Sequence, residues 1–469
     1  MDDGTALAGT AAAPPQPATA IPGPKGLPLL GAGPQLVRDP LGTYQHAMET
    51  HGDLVRFVAG PPGRRIVLHA LFAPDHARKV LAGTRGHTKQ LPLYREIAAA
   101  LGDGLLTSDG DDWRRQRRII QPLFTRQRIA GSATVMAEEA TRLLRGWEAA
   151  SASGRPVELH RQLTGYTMRV LGRLLLGSDL DGTIAEVAAA FPVINRHTRR
   201  RVLAPLRAPR GWPTPANRRA IRARRSLDRI VDRIIQQRRD GRAPGGDDLL
   251  SRLLAARDPD TGQGLDDAEV RAQVLLFLLA GHETTASAIT FTLHLLGHHP
   301  DAQQRVRDEV RRAVGARAPT AEDVARLVYT TRVVKEAIRL YPPAYGVGRR
   351  TSQDEVIGGF LLPAGSAVVV STWAIHRHPR HWDRPGAFDP ERFTPQREAA
   401  RHPYAYLPFG AGPRACIGGS FALLEAVLAT AMIVRAYRLQ TPPGPVPLAA
   451  GITLRPAAAV PCTLRSNPT

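Results

Sequence analysis

The sequence has little cysteine and no long apolar run. Its 469 residues include only two cysteines, Cys416 and Cys462. Two cysteines cannot make a disulfide framework, so the sequence favours the reducing cytoplasm. No stretch of about 18 uninterrupted apolar residues occurs, and we expect no membrane span. Residues 1–20 contain two aspartates and several prolines where a signal peptide needs an apolar core, so we expect a disordered tail.

Lysine is also scarce, although the chain is strongly basic. The lysines are Lys25, Lys79, Lys89 and Lys335, so the net charge of +21 comes almost entirely from arginine. Such a charge raises nucleic acid as a partner, and a basic nucleic-acid-binding protein is the alternative from another functional class. The charge also suits an acidic protein partner, because complementary fields steer encounters. A GC-rich genome would explain the arginine equally well.

The pattern of the chain predicts a mainly α fold with a minor β part. We find no internal repeat or central linker, and we expect residues 21–469 to form one domain. Two short alternating runs, 53–60 and 64–70, flank Pro-Pro-Gly and predict a β-hairpin. Residues 196–219, rich in arginine and broken by prolines, are expected to form a mobile surface connection. Helical spacing predicts helices over 113–123, 129–147, 157–176 and 218–237.

The clearest single element is a long helix within residues 264–300. Asp266 followed by Glu269 is typical of a capping box, and Pro300 marks the stop. Residues 274–280 are apolar on every side, which predicts a helix in the middle of the protein. Later segments predict two short strands within 359–372 and a second long apolar helix over 420–439.

Polar residues interrupt the long helix in the sequence AGHETT, from Ala280 to Thr285. A mid-helix glycine costs about 1 kcal/mol against alanine, and a threonine hydroxyl can bond to the carbonyl one turn earlier. Two interpretations are open: a tolerated kink, or a local opening that admits a small molecule, with Glu283 as a proton source. A zinc-protease motif is excluded, because Ala286 occupies the position of the required second histidine.

Three charged residues form a second candidate cluster. Glu336 and Arg339 lie at i, i+3 in KEAIRLYPP, and Arg392 in FDPERF offers a further partner for the glutamate. Such a pair is most often a surface salt bridge worth a few tenths of a kcal/mol. We interpret the three residues as a structural cluster, the polar lock, beneath the loop that contains Cys416.

That loop, PFGAGPRACIGG at residues 408–419, is dense with glycine and precedes the second apolar helix. A cysteine at a helix N-terminus meets unpaired amides and the positive end of the helix dipole, which we expect to lower its pKa. Glycines such as Gly410 and Gly418 let a planar macrocycle lie against the backbone, beside Phe409. The loop therefore suggests that the Cys416 thiolate is an axial ligand of haem, and a buried structural cysteine is the alternative.

These motifs together resemble the cytochrome P-450 superfamily of haem-thiolate monooxygenases. Phe409, Gly412, Arg414, Cys416 and Gly418 match each fixed position of the family's cysteine-loop signature. AGHETT resembles the oxygen-activating segment of its central helix, and EAIR and PERF resemble its Glu-x-x-Arg pair and the arginine segment that binds that pair. The motifs keep the family's order from about residue 21 to near the chain's end. The resemblance implies the family's single-domain fold, with the long helix over the haem.

The resemblance also implies roles for individual residues. Cys416 would be the iron ligand, and Thr284, preceded by Glu283, would support proton delivery; the family often has aspartate at the position of Glu283. The remaining cofactor-binding residues, for haem b and its propionates, would be Trp113 and Arg117 of WRRQR, Arg349 (beside Arg350), Arg414, Phe409, Gly410, Gly418, Ala280 and Gly281.

Electrons would come from NAD(P)H through external redox partners, because too few residues follow the haem loop for a flavin or nicotinamide module. An acidic ferredoxin or flavodoxin with its reductase is the expected partner. A nucleic-acid-binding protein would explain the basic charge but not an apolar helix that carries AGHETT, so we expect no nucleic-acid partner. We expect a cytoplasmic monomer. A haem protein without oxygenase activity would leave Glu283 and Thr284 without a task.

The expected substrates are O2 and a hydrophobic small molecule. By analogy, the pocket would be lined by Leu93, Tyr94, Phe277, Ala280, Tyr345, Val347 and Ile452, and core packing is the alternative for each. The segments PGPKGLPLLG and GGSFALLEA resemble those of bacterial terpenoid-tailoring oxygenases. Terpenoid hydroxylation in secondary metabolism is therefore the preferred prediction, and fatty acid or polyketide/macrolide oxidation are the alternatives.

Overall fold

The computed structural model describes residues 14–63, 65–83, 86–177, 181–203, 208–240 and 248–467. Within these residues, the α-helices are α1 Gly33–Arg38, α2 Pro40–His51, α3 Pro74–Leu81, α4 Pro92–Leu101, α5 Gly110–Ile120, α6 Arg126–Gly131, α7 Ala133–Ser153, α8 Leu159–Leu176, α9 Asp181–Leu203, α10 Pro215–Arg239, α11 Leu249–Ala255, α12 Asp267–His298, α13 Pro300–Ala313, α14 Val328–Leu340, α15 Thr372–Ile375, α16 Pro395–Ala400 and α17 Gly419–Ala436. The fold is mainly helical, as predicted.

Short strands make up the β part. In the described residues they are β1 Gln16–Pro17, β2 Leu54–Ala59, β3 Ile66–Leu71, β4 His87–Thr88, β5 Val157–Glu158, β6 Val347–Thr351, β7 Glu355–Ile357, β8 Phe360–Leu362, β9 Ala367–Val370, β10 Tyr437–Gln440, β11 Leu448–Ala450, β12 Leu454–Pro456 and β13 Pro461–Ser466. The largest sheet has the order β2-β3-β9-β6-β4, and β11 and β12 form a two-stranded hairpin.

The predicted hairpin is confirmed, because β2 and β3 pair antiparallel from Leu54 opposite Leu71 to Ala59 opposite Ile66. The two strands predicted within 359–372 are β8 and β9. They join different sheets, since a turn at Gly365, with φ of 86°, separates them. The second long apolar helix ends at Ala436, and the chain continues at once as β10.

The capping box of the long helix is confirmed. Asp266 accepts a hydrogen bond from the Glu269 N–H at 2.8 Å, and the Glu269 carboxylate accepts from the Asp266 N–H at 3.0 Å. Pro300 occupies the first turn of α13, so it ends one helix and starts the next. The long helix α12 packs against α8, α10, α14 and α17 and carries much of the core.

Two segments differ from their predictions. Residues 1–13 of the expected tail lie outside the described residues, but Gln16 and Pro17 form β1, and the Gln16 N–H donates to the Gly359 carbonyl at 2.9 Å. Gln16 and Pro17 therefore belong to the fold, because pairing with β8 gives them backbone partners. Within the expected connection 196–219, residues up to Leu203 belong to α9, and residues from Pro215 belong to α10.

The start of α10 explains the second difference. Pro215 lies in its first turn, where a missing N–H costs nothing, and the Thr214 hydroxyl accepts from the Asn217 N–H at 3.1 Å. The proline therefore starts a helix at the position where the sequence analysis expected a break. Residues 204–207, in the middle of that stretch, lie outside the described residues.

Among the described residues, two helices are long and apolar enough to cross a membrane by length and composition, α12 and α17. Within the fold, 72% and 67% of their most apolar windows are buried. A core helix passes the same length and composition test, and both helices contribute to the largest core cluster.

Candidate active site

The Cys416 loop is shaped by glycines. A 3₁₀ turn at Gly412–Arg414 precedes Cys416, whose N–H donates to the Phe409 carbonyl at 2.8 Å. Gly410 and Gly412 both have φ of 69°, a conformation that favours glycine. A Cβ on Gly412 would lie 1.9 Å from the Leu81 carbonyl oxygen at the end of α3. The loop therefore fits against α3 only with glycine at this position.

Cys416 lies three residues before α17, in a recess where it is accessible although protein surrounds it on most sides. Burial raises the pKa of its thiol, whereas the Gly418 N–H and the Arg117 guanidinium act in the opposite direction. The expectation of a lowered pKa is therefore wrong for the protein alone, because desolvation outweighs the helix terminus. A metal cation bound to the sulfur would remove the proton outright.

One face of α12 is open although the helix is otherwise buried. Ala280 is exposed, and Phe277, Gly281 and Thr284 are half-buried, while most of their neighbours are fully buried. These positions follow i, i+3, i+4, i+7 spacing and share one face of the helix. The Thr284 hydroxyl lies on this face and donates to the Ala280 carbonyl at 2.5 Å. The helix itself continues from Asp267 to His298 without a break.

Gly281 has a further reason to be glycine. A Cβ at this position would lie 2.8 Å from the Leu171 Cδ1 atom of α8. The glycine therefore allows α8 to pack closely against α12, which accounts for it without a contact to a macrocycle.

Glu283 points away from the Thr284 face. Adjacent residues on a helix are about 100° apart, and the Glu283 carboxylate lies between α9 and β12. It accepts hydrogen bonds from the Thr453 hydroxyl at 2.5 Å and from the Asn195 amide at 3.4 Å, and Arg455 lies 3.5 Å away. Sequence reasoning missed these three partners, which come from distant segments of the chain.

The structure brings a group of buried cations together near the Cys416 loop. Arg414 forms an ion pair with Asp109 and stacks 4.2 Å from the Trp113 ring, and burial lowers the Arg414 pKa to about 10. Lys89 is buried, and desolvation followed by repulsion from Arg349 and Arg414 lowers its pKa well below the usual range. Asp109 accepts from the Lys89 backbone N–H at 2.6 Å, and the Lys89 ammonium donates to the Leu106 carbonyl at 2.8 Å.

Arg349 completes this group. It is 5% exposed, and among the described residues its side chain donates only to the carbonyl of the preceding Gly348, at 2.8 Å. Strand alternation places Arg350 on the opposite face of β6, so Arg349 is the arginine directed at the cluster. The neighbouring Arg117 donates to the Ala415 carbonyl at 3.2 Å.

These residues fit haem. Of three buried cations in the described residues, Arg414 has an ion pair with Asp109, whereas the Lys89 ammonium donates to the Leu106 carbonyl and Arg349 to the Gly348 carbonyl. Buried charge is stable only when it is paired. The two propionates of haem would supply negative charge for these cations, and the Cys416 sulfur is a suitable iron ligand. Sequence reasoning missed Lys89 and Asp109, although Lys89 is one of only four lysines.

The polar lock is fully assembled. Glu336 and Arg339 are 0% exposed, and two hydrogen bonds of 2.6 and 2.7 Å join them, with Arg392 3.3 Å from the glutamate. Arg339 also donates to the His376 carbonyl at 2.8 Å. The His376 ring in turn accepts from the Leu407 N–H at 2.7 Å, directly before the Cys416 loop. His376, which sequence reasoning missed, therefore connects the polar lock to the loop.

Five of the seven predicted pocket residues lie in two core clusters. Leu93, Phe277 and Ile452 pack on the core that contains Tyr94, whereas Val347 packs with the core of the large sheet. Phe277 makes an edge contact with Phe124 at 5.6 Å between ring centroids. Phe124, Leu106 and Ile417 were missed and belong to the same core.

Tyr94 and Tyr345 make hydrogen bonds to the backbone near this core. The Tyr94 hydroxyl donates to the Gly348 carbonyl at 3.3 Å. The Tyr345 hydroxyl donates to the Gly451 carbonyl at 2.8 Å, and burial raises its pKa to about 12. Both tyrosine hydroxyls are therefore already bonded to the backbone, and the aromatic rings are left for apolar contacts.

Comparison with known proteins agrees with this geometry. The family profile described as Cytochrome P450 matches residues 21–456. The chain is 39% identical over 436 residues to cyclooctat-9-en-7-ol 5-monooxygenase of Streptomyces melanosporofaciens, covering 93% of both chains. It is 34% identical over 422 residues to pentalenene oxygenase of Streptomyces avermitilis, covering 90% of this chain and 91% of the other. The crystal structure of the cytochrome P450DA haem domain aligns with a TM-score of 0.87 and 30% identity, over 97% of this chain and 99% of that one.

Proposed function

Because the chain belongs to the cytochrome P450 family and is a haem b monooxygenase, we propose that it hydroxylates an apolar terpenoid in bacterial secondary metabolism. The observation that carries this proposal is the open face of α12, where Ala280 and Phe277 lie beside the Thr284 hydroxyl. An apolar surface with one hydroxyl suits a ligand with few polar groups. The similar bacterial enzymes are terpenoid-tailoring oxygenases, which supports a terpenoid over other apolar molecules.

We propose that the chain's own residues bind the haem, exclude water and move protons. Bound haem supplies the oxidising chemistry that inserts one atom of dioxygen into the substrate. Cys416 would hold the iron, and Lys89, Arg349 and Arg414 would hold the propionates. The Thr284 hydroxyl donates to the Ala280 carbonyl, so it can exchange that bond and pass a proton to the open face. Glu283 would replace that proton from the side of α9 and β12.

Electrons reach members of this family from external redox partners. We propose an acidic ferredoxin or flavodoxin, docked near α6. Arg126 and Arg128 are exposed on this helix, which packs against α17, the helix that follows Cys416. Exposed arginines steer an acidic partner to this surface.

Both cysteines are free, as in the cytoplasm, where we propose that the enzyme acts as a monomer.

A spectral titration tests the substrate proposal. The purified holoenzyme is titrated with terpene alcohols and hydrocarbons, fatty acids of matched carbon number, and macrolides. We expect terpenoids to give the tightest spin-state change and a hydroxylated product. Tightest binding and turnover of a fatty acid or macrolide would overturn the terpenoid proposal. Cys416→Ser is the control for haem ligation: its reduced carbon monoxide complex should lack the red-shifted thiolate band.

A further inference from the structure

Asn195 of α9 joins two parts of the active site. It is 6% exposed, and its Oδ1 accepts a hydrogen bond from the Ile452 N–H at 3.2 Å. Its Nδ2 donates to the Glu283 carboxylate at 3.4 Å. A backbone N–H can only donate and an ionised carboxylate can only accept, so both contacts require the same orientation of the amide. The side chain therefore holds a definite position between the two.

The turn at residues 451–453, between β11 and β12, fits closely against Asn195. The Gly451 N–H donates to the Thr453 carbonyl at 3.0 Å, and a Cβ on Gly451 would lie only 3.1 Å from the Asn195 Oδ1. The Thr453 hydroxyl donates to the same Glu283 oxygen that Asn195 binds. The turn thus contacts the carboxylate directly through Thr453 and indirectly through Asn195.

The same turn carries Ile452, which the sequence analysis expects in the substrate pocket. The Ile452 side chain packs on the core that includes Phe277 and Leu93, and the Gly451 carbonyl accepts from the Tyr345 hydroxyl at 2.8 Å. A ligand that presses on Ile452 therefore acts on the backbone N–H that Asn195 binds. The path from the Ile452 N–H through Asn195 to the Glu283 carboxylate has two hydrogen bonds.

We propose that Asn195 is a positioning residue that ties the Glu283 carboxylate to the substrate-facing turn of residues 451–453. The proposal rests on the proposed function, which makes Glu283 the proton source, and on the expected place of Ile452 in the substrate pocket. Without Asn195, the carboxylate keeps its direct contacts to Thr453 and Arg455 but loses the hydrogen-bonded connection to the Ile452 N–H. Proton delivery is then no longer coupled to substrate binding, and electrons reduce O2 to hydrogen peroxide instead of supporting product formation.

Two substitutions separate the parts of this proposal. Asn195→Leu keeps the side-chain volume and removes both hydrogen bonds. Asn195→Asp keeps the acceptor for the Ile452 N–H and places a second carboxylate beside Glu283, where like charges repel. The matched control is Thr198→Val, on the same helix one turn away, where the side chain is also buried, at 1% exposed, and lies near Glu96.

Each variant is assayed as holoenzyme for substrate affinity, product per NADPH, peroxide, and the infrared carboxylate band assigned to Glu283 by subtraction of Glu283→Gln. For Asn195→Leu we expect product formation to fall about 10-fold, the size of one lost hydrogen bond to a charged group. Substrate affinity should stay unchanged, peroxide should rise, and the infrared band should move in the resting protein. Asn195→Asp should lose at least as much product, and Thr198→Val should match the native enzyme.

The proposal is overturned by native product yield with an unmoved infrared band in Asn195→Leu, or by an equal loss in Thr198→Val. Should Asn195→Leu not fold, Gly451→Ala provides the same test, because its methyl group displaces the Asn195 amide from the other side. Failure of the terpenoid proposal is seen separately, in the native enzyme's substrate panel. The Asn195 comparison then uses whichever substrate that panel identifies.

Discussion

Two glutamates show how differently this protein uses a buried carboxylate. Glu336 is 0% exposed and binds Arg339 at 2.6 and 2.7 Å and the Asp389 N–H at 2.9 Å. The Glu283 side chain is 13% exposed, and its hydrogen bond from Asn195 and its contact with Arg455 are long, at 3.4 and 3.5 Å. Arg455 itself is 36% exposed. One carboxylate is saturated and fixed, and the other is held loosely at the edge of solvent.

The difference indicates what each group can do. A saturated, fully buried ion pair has no free lone pair for chemistry, and removing one partner leaves an uncompensated charge. A carboxylate with one short and two long contacts can change partners at low cost. Glu336 therefore acts through the fold, and Glu283 is suited to carry protons.

The largest effect expected is on stability, from Glu336→Ala. Arg339 and Arg392 would stay buried without their carboxylate, which costs about 3–5 kcal/mol of unfolding free energy. Denaturant unfolding measures the loss. The matched control is Glu391→Ala, because Glu391 pairs with Arg305 and Arg332 but is 37% exposed, and exposed pairs contribute about 0–1 kcal/mol. Equal losses in the two variants would contradict the assignment of a buried structural role.

A second substitution tests the other side of the comparison. Glu283→Gln keeps the side-chain shape and should change the unfolding free energy by at most about 1 kcal/mol, since its ion pair is partly exposed. Product formation should fall about 100-fold, the lower end of the range for general acid–base catalysis. Stopped-flow turnover with a peroxide assay measures this loss. Native turnover, or destabilisation as large as that of Glu336→Ala, would remove the contrast between the two glutamates.

The smallest effect is expected for Lys89→Met. This substitution tests a third situation, in which buried positive charges have too few carboxylate partners. Haem binding should weaken by about 1 kcal/mol, because a propionate loses one donor. The haem-free protein should become no less stable, because the cost of burying the lysine charge and its repulsion with Arg349 and Arg414 are both removed. Transfer of haem to an acceptor protein and unfolding of the haem-free form measure the two effects. Lys79→Met, at an exposed position, is the control.

A loss of stability in haem-free Lys89→Met would contradict this prediction. It would show that Lys89 stabilises the protein through its hydrogen bond to the Leu106 carbonyl, at 2.8 Å, and that cofactor binding is not its main role.

The same contrast explains what sequence could predict. Glu336 and Arg339 are three residues apart, so their pairing was visible in the sequence, as was the capping box of α12. Asn195 and Thr453 are 88 and 170 residues from Glu283, and no local pattern indicated that they meet it. The start of α10 at Pro215 was not predicted, because proline can either begin a helix or interrupt one.

Electrostatics was the part of the site that sequence predicted least well. The helix N-terminus beside Cys416 was visible, but the desolvation that raises the thiol's pKa depends on residues from several distant segments. For the same reason, Arg349 and Arg414 were predicted to bind the cofactor but Lys89 beside them was not. Motifs identified the residues that contact a cofactor, whereas the balance of their charges required the assembled fold.

Ala280 has a practical consequence. Few protein atoms cover its methyl group, although it lies at the middle of a buried helix. Under the proposed function, a larger side chain at this position would take room from the haem or the substrate. A series of variants with side chains of increasing length at this position would measure how closely the bound molecule approaches α12. Under the proposed function, the same series gives protein engineers a way to change which carbon is oxidised without redesigning the scaffold.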